Sequence, residues 1–174
     1  TAYRDITVTL VGSEDAPHIT VGANDSDYVF LTETNAGLTA NGTLTATDVD
    51  VSDVMSAHVV AVSAGGAGIL DHVSLAQLAS LFTVGPNPVD TATTTSGSIH
   101  WTFDSGNEAF DFLPKGFESV INYTIEVTDG HGGTDQHVVQ IKLHGTNDAP
   151  AFGWGETAAP LHEVANQTDS PTVL

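Results

Sequence analysis

The chain contains no cysteine, and only Arg4, Lys115 and Lys142 carry a fixed positive charge. Without cysteine there can be no disulfide bond, no thiolate metal site and no thiol nucleophile. Proteins that follow a nucleic-acid backbone or dock on an anionic membrane need clusters of lysine and arginine. The scarcity of basic residues therefore argues against nucleic acid and against an anionic membrane surface as partners.

Long apolar stretches are also missing. No run approaches the roughly 18–20 residues of a membrane-spanning helix, so we expect no direct membrane insertion. No signal-peptide pattern is found, and the chain opens on residues that read as the middle of a strand. We therefore expect an internal segment of a longer protein.

Acidic residues, in contrast, are abundant: 22 Asp and Glu give the 174-residue chain a formal charge of −19. Acidic disordered proteins are poor in apolar residues, whereas 40% of this chain is hydrophobic. We expect a folded protein for that reason. Repulsion between so many carboxylates opposes a compact state, and bound cations or high external salt have to offset it.

One sequence pattern occurs twice, 133 residues apart as measured from Gly12 to Gly145. Residues 6–17 read ITVTLVGSEDAP and residues 139–150 read VQIKLHGTNDAP, so each is an alternating strand followed by Gly-x-x-Asp-Ala-Pro. This spacing is too long for a solenoid repeat and is typical of one domain in a tandem array. We therefore divide the chain into the last strand and linker of a preceding repeat, a complete repeat, and the start of the next: 1–17, 18–150 and 151–174.

Alternation of apolar and polar residues, which is typical of half-buried strands, occurs in seven segments. They are Ile6–Val11, Tyr28–Glu33, Thr43–Thr47, His58–Val62, Ile99–Phe103, Val120–Thr128 and Gln136–His144. A glycine-rich turn at 128–133 joins the last two and is typical of a β-hairpin. Seven short strands joined by such turns predict an all-β protein, a β-sandwich.

One segment departs from this pattern and predicts a short helix. Ser74 and Gln77 have the spacing of a capping box, and Leu75, Leu78, Ala79 and Phe82 follow at helical intervals. We expect one helix over 75–82, in an insertion around 71–82 that crosses an edge or end of the sandwich. Its apolar stripe is best explained by packing, and residues 85–97 predict an irregular loop.

Carboxylates are concentrated where strands end. Asp48, Asp50 and Asp53 follow the strand at 43–47. In an extended chain the first two point to the same side, roughly 6.6–7 Å apart, so they can converge on one hard cation. Calcium takes 6–8 oxygen ligands of this kind. Further acidic and amide side chains lie in the hairpin turn and in the two linkers: Asp129, Glu14, Asp15, Asn147 and Asp148.

These acids have an ordinary alternative explanation, because Asp and Asn also stabilise turns by bonding to their own backbone. Clustered carboxylates with almost no basic partners favour a metal instead. The loop is not an EF-hand, since Asp53 and Val59 stand where that motif needs Gly and Glu. Zinc is disfavoured because none of the eight histidines form an HxH or HxxxH pair, and His131 reads as an exposed loop residue.

Support for catalysis is thin. The chain contains no GxSxG motif and no phosphate-binding GxxxxGK[ST] motif. Asp104, Glu108 and Asp111 offer the paired carboxylates of a glycoside hydrolase, but turns beside a strand explain them equally well. We therefore expect that the protein is not an enzyme.

Residues 110–150 carry a resemblance to a known family. They read FDFLPKGFESVINYTIEVTDGHGGTDQHVVQIKLHGTNDAP and resemble the C-terminal half of the VCBS repeat found in secreted bacterial RTX-type adhesins. The segments YTIEVTDGHGGTD and GTNDAP are the most specific parts. Residues 27–53 are similar to the cadherin-like pattern, with a Glu ending an early strand and a later Ala-Thr-Asp-x-Asp.

This resemblance implies a Greek-key β-sandwich of the cadherin/immunoglobulin-like kind. It also implies a calcium-stabilised, non-enzymatic extender module of a large adhesin, located outside the cell or at the bacterial cell surface. Its partners would be the neighbouring repeats of the same chain. An alternative is a carbohydrate- or peptide-binding module that uses the 64–97 insertion and whose partner is a glycan or protein of a host or other surface.

The resemblance further implies which residues bind calcium, since cadherin-like modules bind it at the junctions between successive domains. At one end of the sandwich, here called the upper end, the implied ligands are Asp15, Asp48, Asp50 and Asp129. At the opposite, lower end, they are Glu33, Asn147 and Asp148. The middle Asp-Arg-Glu element of cadherins is absent, and Glu118 or Asp111 would take its place.

Overall fold

The computed structural model describes residues 3–148, so the predicted start of a next repeat at 151–174 lies outside the described residues. Eight strands form two four-stranded sheets, with strand orders β1-β3-β6-β5 and β2-β8-β7-β4. The strands are β1 (His18–Thr20), β2 (Tyr28–Thr32), β3 (Thr39–Thr47), β4 (Ser56–Gly65), β5 (Phe82–Gly85), β6 (Ser96–Asp104), β7 (Glu118–Thr128) and β8 (Thr134–His144). Two short helices, α1 (Ile69–His72) and α2 (Leu75–Ser80), connect β4 to β5.

The strand order is that of an immunoglobulin-like sandwich. The first sheet has the A-B-E-D order of that fold and the second contains its C-F-G strands, joined by Greek-key connections. The chain changes sheets between β1 and β2, and β2 then pairs in parallel with β8, whereas the other strand pairs are antiparallel. The predicted all-β sandwich is therefore confirmed.

The core lies between the two sheets and follows from the alternation in the sequence. The inward side chains of β7 and β8 are completely buried: Ile121, Tyr123, Ile125, Val127, Val139, Ile141 and Leu143. The facing sheet contributes Leu44, Ile99, Trp101 and Phe103. Because side chains on a strand alternate between the two faces, the outward residues between these positions can be polar without disturbing the core.

Six of the seven predicted strands are confirmed, and one is wrong for this chain. Residues 6–11 form no strand, although their alternation is as regular as that of β8. A strand needs a neighbour to accept its backbone hydrogen bonds, and none of the strand pairings among residues 3–148 includes this segment. The strands β1 and β5 escaped prediction because three or four residues are too few to display a period.

The insertion contains the predicted helix start but a different end. The capping box between Ser74 and Gln77 is formed, yet α2 ends at Ser80, and α1 adds a helical turn before it. Phe82, expected on the helix, instead begins β5 and stacks on the ring of Tyr123 with a centroid distance of 4.1 Å. Apolar residues of this insertion, among them Leu78, are buried in the core. No helix among the described residues is long and apolar enough to cross a membrane.

Tyr123 ties this insertion to the sheet. Its hydroxyl donates a hydrogen bond of 2.8 Å to the backbone carbonyl of Leu78. We expect Tyr123→Phe to lower the free energy of unfolding by about 0.5–1.5 kcal/mol, since one buried hydrogen bond is lost while Leu78 still accepts from Leu81. Urea unfolding measures this, and the half-exposed Tyr28→Phe is the matched control, for which no change is expected. Equal effects of the two variants would contradict the assignment.

Asp25 fastens the segment between β1 and β2 to the edge of β3. It accepts hydrogen bonds from the hydroxyls of Thr43 and Thr45, at 2.6 and 2.7 Å, and from the N–H of Gly22 at 2.9 Å. Burial alone would raise the pKa of this carboxyl, but the hydrogen bonds outweigh it and hold the pKa below its usual value.

A pH-dependent contribution to stability follows from that lowered pKa. It is present above the unfolded-state pKa of about 3.9 and is lost as the pH falls through the lower folded-state pKa. We therefore expect Asp25→Asn to lower the melting temperature at neutral pH, and the difference from wild type to shrink at strongly acid pH. Melting curves across the pH range measure it, with Asp5→Asn on an exposed residue as control. A difference that does not depend on pH would contradict the prediction.

Candidate metal centre

Three carboxylates converge at the upper end of the sandwich. Asp48, Asp53 and Asp129, here called the upper cluster, are all buried. Each offers one oxygen, and the three oxygens lie within 4.8 Å of one another. Unpaired charges at this separation repel strongly in a buried environment. A positive charge between the three carboxylates would relieve this repulsion.

The local backbone fixes each of these side chains. Asp48 follows β3, and its Oδ1 accepts the N–H of Asp50 at 3.0 Å. Asp129 follows β7, and its Oδ1 accepts the three N–H groups of residues 131–133 at 2.7 to 3.1 Å. Asp53 lies in the loop before β4, where its N–H bonds to the carbonyl of Asp50. Turn formation therefore uses one oxygen of Asp48 and one of Asp129.

The second oxygen of each carboxylate has no such role. Oδ2 of Asp48, of Asp53 and of Asp129 is buried and has no hydrogen-bond partner among the described residues. Leaving a charged oxygen buried and unpaired is costly. A set of three hard oxygen donors fits calcium, which prefers carboxylates and carbonyls, better than zinc, which prefers histidine and cysteine.

Two exposed side chains border the upper cluster. Nδ1 of His131 lies 3.3 Å from Oδ1 of Asp53 and 3.6 Å from Oε1 of Glu14. The pKa of the Glu14 carboxyl is raised above its usual value, first by its hydrogen bond with Asp53, then by partial loss of solvent and by repulsion from Asp53. The two carboxylates therefore meet under electrostatic repulsion that His131 only partly relieves.

Asp15 and Asp50 meet each other at the edge of this cluster. The backbone N–H of Asp15 donates to Oδ2 of Asp50 at 2.8 Å, so Asp50 holds the linker. Of the four residues expected at this end, Asp48 and Asp129 enter the group of three carboxylates. The third member is Asp53, which the sequence placed beside Asp48 and Asp50 but which the family pattern did not include.

Gly133 lets the linker approach the cluster. A Cβ at this position would collide with Oδ2 of Asp129 and would lie 2.8 Å from Cα of Ala16. The glycine-rich hairpin therefore supplies the three N–H groups that hold Asp129 and also leaves space for the linker beside it.

A second group lies at the lower end. Glu33, Asp111 and Asp148, here called the lower group, also place one oxygen each within 4.8 Å of one another. Glu33 is buried; its Oε1 accepts the N–H and the hydroxyl of Thr146, both at 2.6 Å, and its Oε2 has no partner among the described residues. The pKa of the Asp111 carboxyl is raised by burial and then by the nearby charges of Asp148 and Glu33.

Either Glu118 or Asp111 was expected in place of the middle Asp-Arg-Glu element of cadherins, and only Asp111 belongs to the lower group. Asp111 lies beside Glu33, whereas Glu118 is paired with Lys142 at 2.7 Å. Asn147 is exposed, and its amide donates to the backbone carbonyl of Asp148 at 3.2 Å. The nearby carboxylates considered for catalysis serve local turns: Asp104 accepts the N–H of Gly106, and Glu108 accepts that of Phe110.

No family model and no curated protein matches the chain. Among solved structures, the chain is similar to the ASH/PapD-like domain 7 of human CEP192, with 12% identity and a TM-score of 0.45, covering 86% of this chain and 99% of that one. It is also similar to the periplasmic chaperone SfaE, with 10% identity and a TM-score of 0.38, covering 75% of this chain and 57% of that one. At these values the similarities carry no argument about function.

Proposed function

We propose that the chain is a calcium-stabilised extracellular β-sandwich repeat that serves as a structural extender of a large bacterial adhesin and has no enzymatic activity. The observation that carries the calcium part is the upper cluster: three buried carboxylates whose Oδ2 atoms have no hydrogen-bond partner among the described residues. The adhesin and its location outside the cell rest on the resemblance of residues 110–150 to VCBS repeats.

The placement of the two groups supports a role between successive repeats. β3 and β7 end at the upper cluster, whereas β2 and β8 end at the lower group. β7 has 11 residues, which separates the two ends by roughly 35 Å. A metal at each end would therefore act at a junction with a neighbouring repeat, which is the partner that we propose.

The internal repeat indicates how one linker serves both groups. Asp148 belongs to the lower group, and Asp15, which has the same place in the repeated pattern, lies beside the upper cluster. A linker of this sequence can therefore extend the lower group of one repeat and contact the upper cluster of the next.

Calcium would supply the positive charge that these carboxylates lack. Asp48, Asp53 and Asp129 would bind it at the upper end, and Glu33, Asp111 and Asp148 at the lower end. Binding would fix the linker against the domain ends and convert a flexible array into an extended stalk. Because the metal binds only the folded arrangement, it would also stabilise the fold by mass action.

Calorimetric titration of the metal-free chain tests this function. We expect calcium to bind and to raise the melting temperature, and magnesium to do so more weakly, because it demands a smaller octahedral site and gives up water reluctantly. The same ionic strength of sodium chloride is the control, since salt screens the repulsion in any acidic protein. If millimolar calcium produces no heat of binding and no shift in melting temperature beyond that control, the proposal is refuted.

The alternative, a carbohydrate- or peptide-binding module built on the 64–97 insertion, stays a prediction. Ile69, Val73, Leu78 and Phe82 of this insertion are buried in the core, which is a packing role. No feature of the described part of the insertion favours a ligand. A glycan array probed with the chain would test it.

A further inference from the structure

Residues 3–11 present an apolar strand pattern to solvent. Tyr3, Ile6, Val8, Leu10 and Val11 are 75% to 91% exposed, the largest exposures among the large apolar side chains described. Isolated apolar residues on a surface are normal, but an alternating row of them points to a partner. The segment therefore has the sequence pattern of a half-buried strand, although no sheet of the described residues covers its apolar side chains.

The internal repeat identifies the sheet that the segment fits. In the alignment of the two repeated segments, with an offset of 133, Ile6, Val8 and Leu10 correspond to the inward-facing residues of β8. These are Val139, Ile141 and Leu143. Those three residues are 0% exposed between the sheets. β8 lies between β2 and β7 and bonds to both, so the corresponding position for residues 6–11 is the place between a second β2 and a second β7.

Gly12 provides an independent argument. In this chain a Cβ at Gly12 would meet nothing within 4 Å, so nothing around it calls for glycine. At the corresponding Gly145 a Cβ would lie 2.5 Å from the carbonyl oxygen of Leu113 and closer still to that of Pro114. The glycine at position 12 is explained if the segment lies against the same backbone in another sandwich.

Polar residues of the segment correspond in the same way. Arg4 takes the place of His137, whose Nε2 lies 3.0 Å from Oδ2 of Asp27. An arginine there would pair with the same carboxylate as a permanent cation. Ser13 takes the place of Thr146, whose hydroxyl donates to Glu33.

From these correspondences we infer that Tyr3–Asp15 is a transferable last strand, which docks into the β8 position of a second copy of this sandwich that has no β8 of its own. In that position Ile6, Val8 and Leu10 enter the core of the second copy, and Gly12 lies against its 113–114 backbone. Arg4 faces the Asp27 of that copy. The inference rests on the tandem-repeat part of the proposed function and does not need calcium.

The test replaces Thr1 and Ala2 by a copy of residues 18–135, which is joined directly to Tyr3 of the otherwise complete chain. The added copy contains β1 to β7 and the first two residues of β8, and residues 3–15 follow it where 136–148 would stand. We expect the backbone amides of residues 6–11 to lose their fast hydrogen exchange and to reach the protection of the intact β8 in the same molecule. Small-angle scattering should show two folded sandwiches.

Two substitutions make the test specific. Val8→Asp in the extended protein should abolish protection of residues 6–11 and unfold the added copy, while the original sandwich keeps its melting temperature. Gly12→Ala should leave the melting temperature of the original chain unchanged and lower that of the added copy. A reference in which 136–148 replace residues 3–15 gives the protection expected for a native last strand.

Fast exchange of residues 6–11 in the extended protein overturns the inference, whatever the reference gives. Protection that survives Val8→Asp also overturns it, because the segment would then be ordered by something other than the core. The measurements are made in chelator as well as in calcium. Protection in chelator supports strand transfer even if the calcium titration fails, so the two proposals can fail separately.

Discussion

Asp129→Asn is expected to abolish most of the rise in melting temperature that calcium produces. Asparagine keeps an oxygen for the three backbone N–H groups of the hairpin but replaces the unpaired carboxylate oxygen by an amide. Calcium at about 100 times its dissociation constant contributes about 2.7 kcal/mol. For a domain of this size that is a rise of about 5–10 °C, measured by differential scanning calorimetry.

The same substitution should have the opposite effect without metal. Removing one of three mutually repelling buried carboxylates should raise the melting temperature in chelator. Asp104→Asn is the matched control, because Asp104 lies at the end of a strand and also accepts a turn N–H, but lies outside both groups. A loss of stability that is equal with and without calcium would mean that Asp129 serves only its turn.

The second large effect concerns Trp101 and Gly42, which face each other on β6 and β3. The indole is buried, and its Nε1 donates to the carbonyl of Ser26 at 2.7 Å. A Cβ at Gly42 would lie 2.6 Å from Cε2 and 2.8 Å from Nε1 of this ring. We expect Gly42→Ala to cost about 1–3 kcal/mol of unfolding free energy by overpacking, and Trp101→Ala to cost about 3–5 kcal/mol by leaving a cavity.

A double-mutant cycle separates this clash from a general effect of alanine in a strand. In a Trp101→Phe background the cost of Gly42→Ala should largely disappear, because the smaller ring does not reach Gly42. Gly65→Ala is the control, since a Cβ there would meet nothing within 4 Å. Urea unfolding of the four proteins measures the coupling, and strictly additive costs would contradict the contact.

The sequence predicts the long strands well because each buries one face. The alternation in β7 and β8 and the glycine-rich turn between them carry that information locally. The end of the helix in the insertion depends on contacts with other elements, since Phe82 leaves the helical pattern to pair with β6 and to stack on Tyr123. Such tertiary contacts have no local signal, and the same holds for the short edge strands.

Only part of the candidate site could be predicted from the sequence, because some of its residues are positioned by loops that lack a local signal. Family resemblance brought Asp48 together with Asp129, although they lie 81 positions apart in the sequence. Asp53 enters the upper cluster because the loop after β3 closes through the hydrogen bond from its N–H to Asp50. Asp111 reaches Glu33 because of how the loop between β6 and β7 folds. Loop closure of this kind depends on the completed sandwich.

The parallel pairing of β2 with β8 determines how the domain would respond to tension. A force along the chain enters at the upper end through the segment before β1 and leaves at the lower end after β8. Once the three-residue pairing of β1 with β3 has opened, it pulls β2 upward and β8 downward, so the five paired residues of these two strands are loaded in shear. Slanted parallel hydrogen bonds loaded together must break together, whereas a hairpin pulled open from its ends breaks one bond at a time. After β1 has detached, the rest of the sandwich would therefore hold its length under load until the whole β2–β8 ladder gives way.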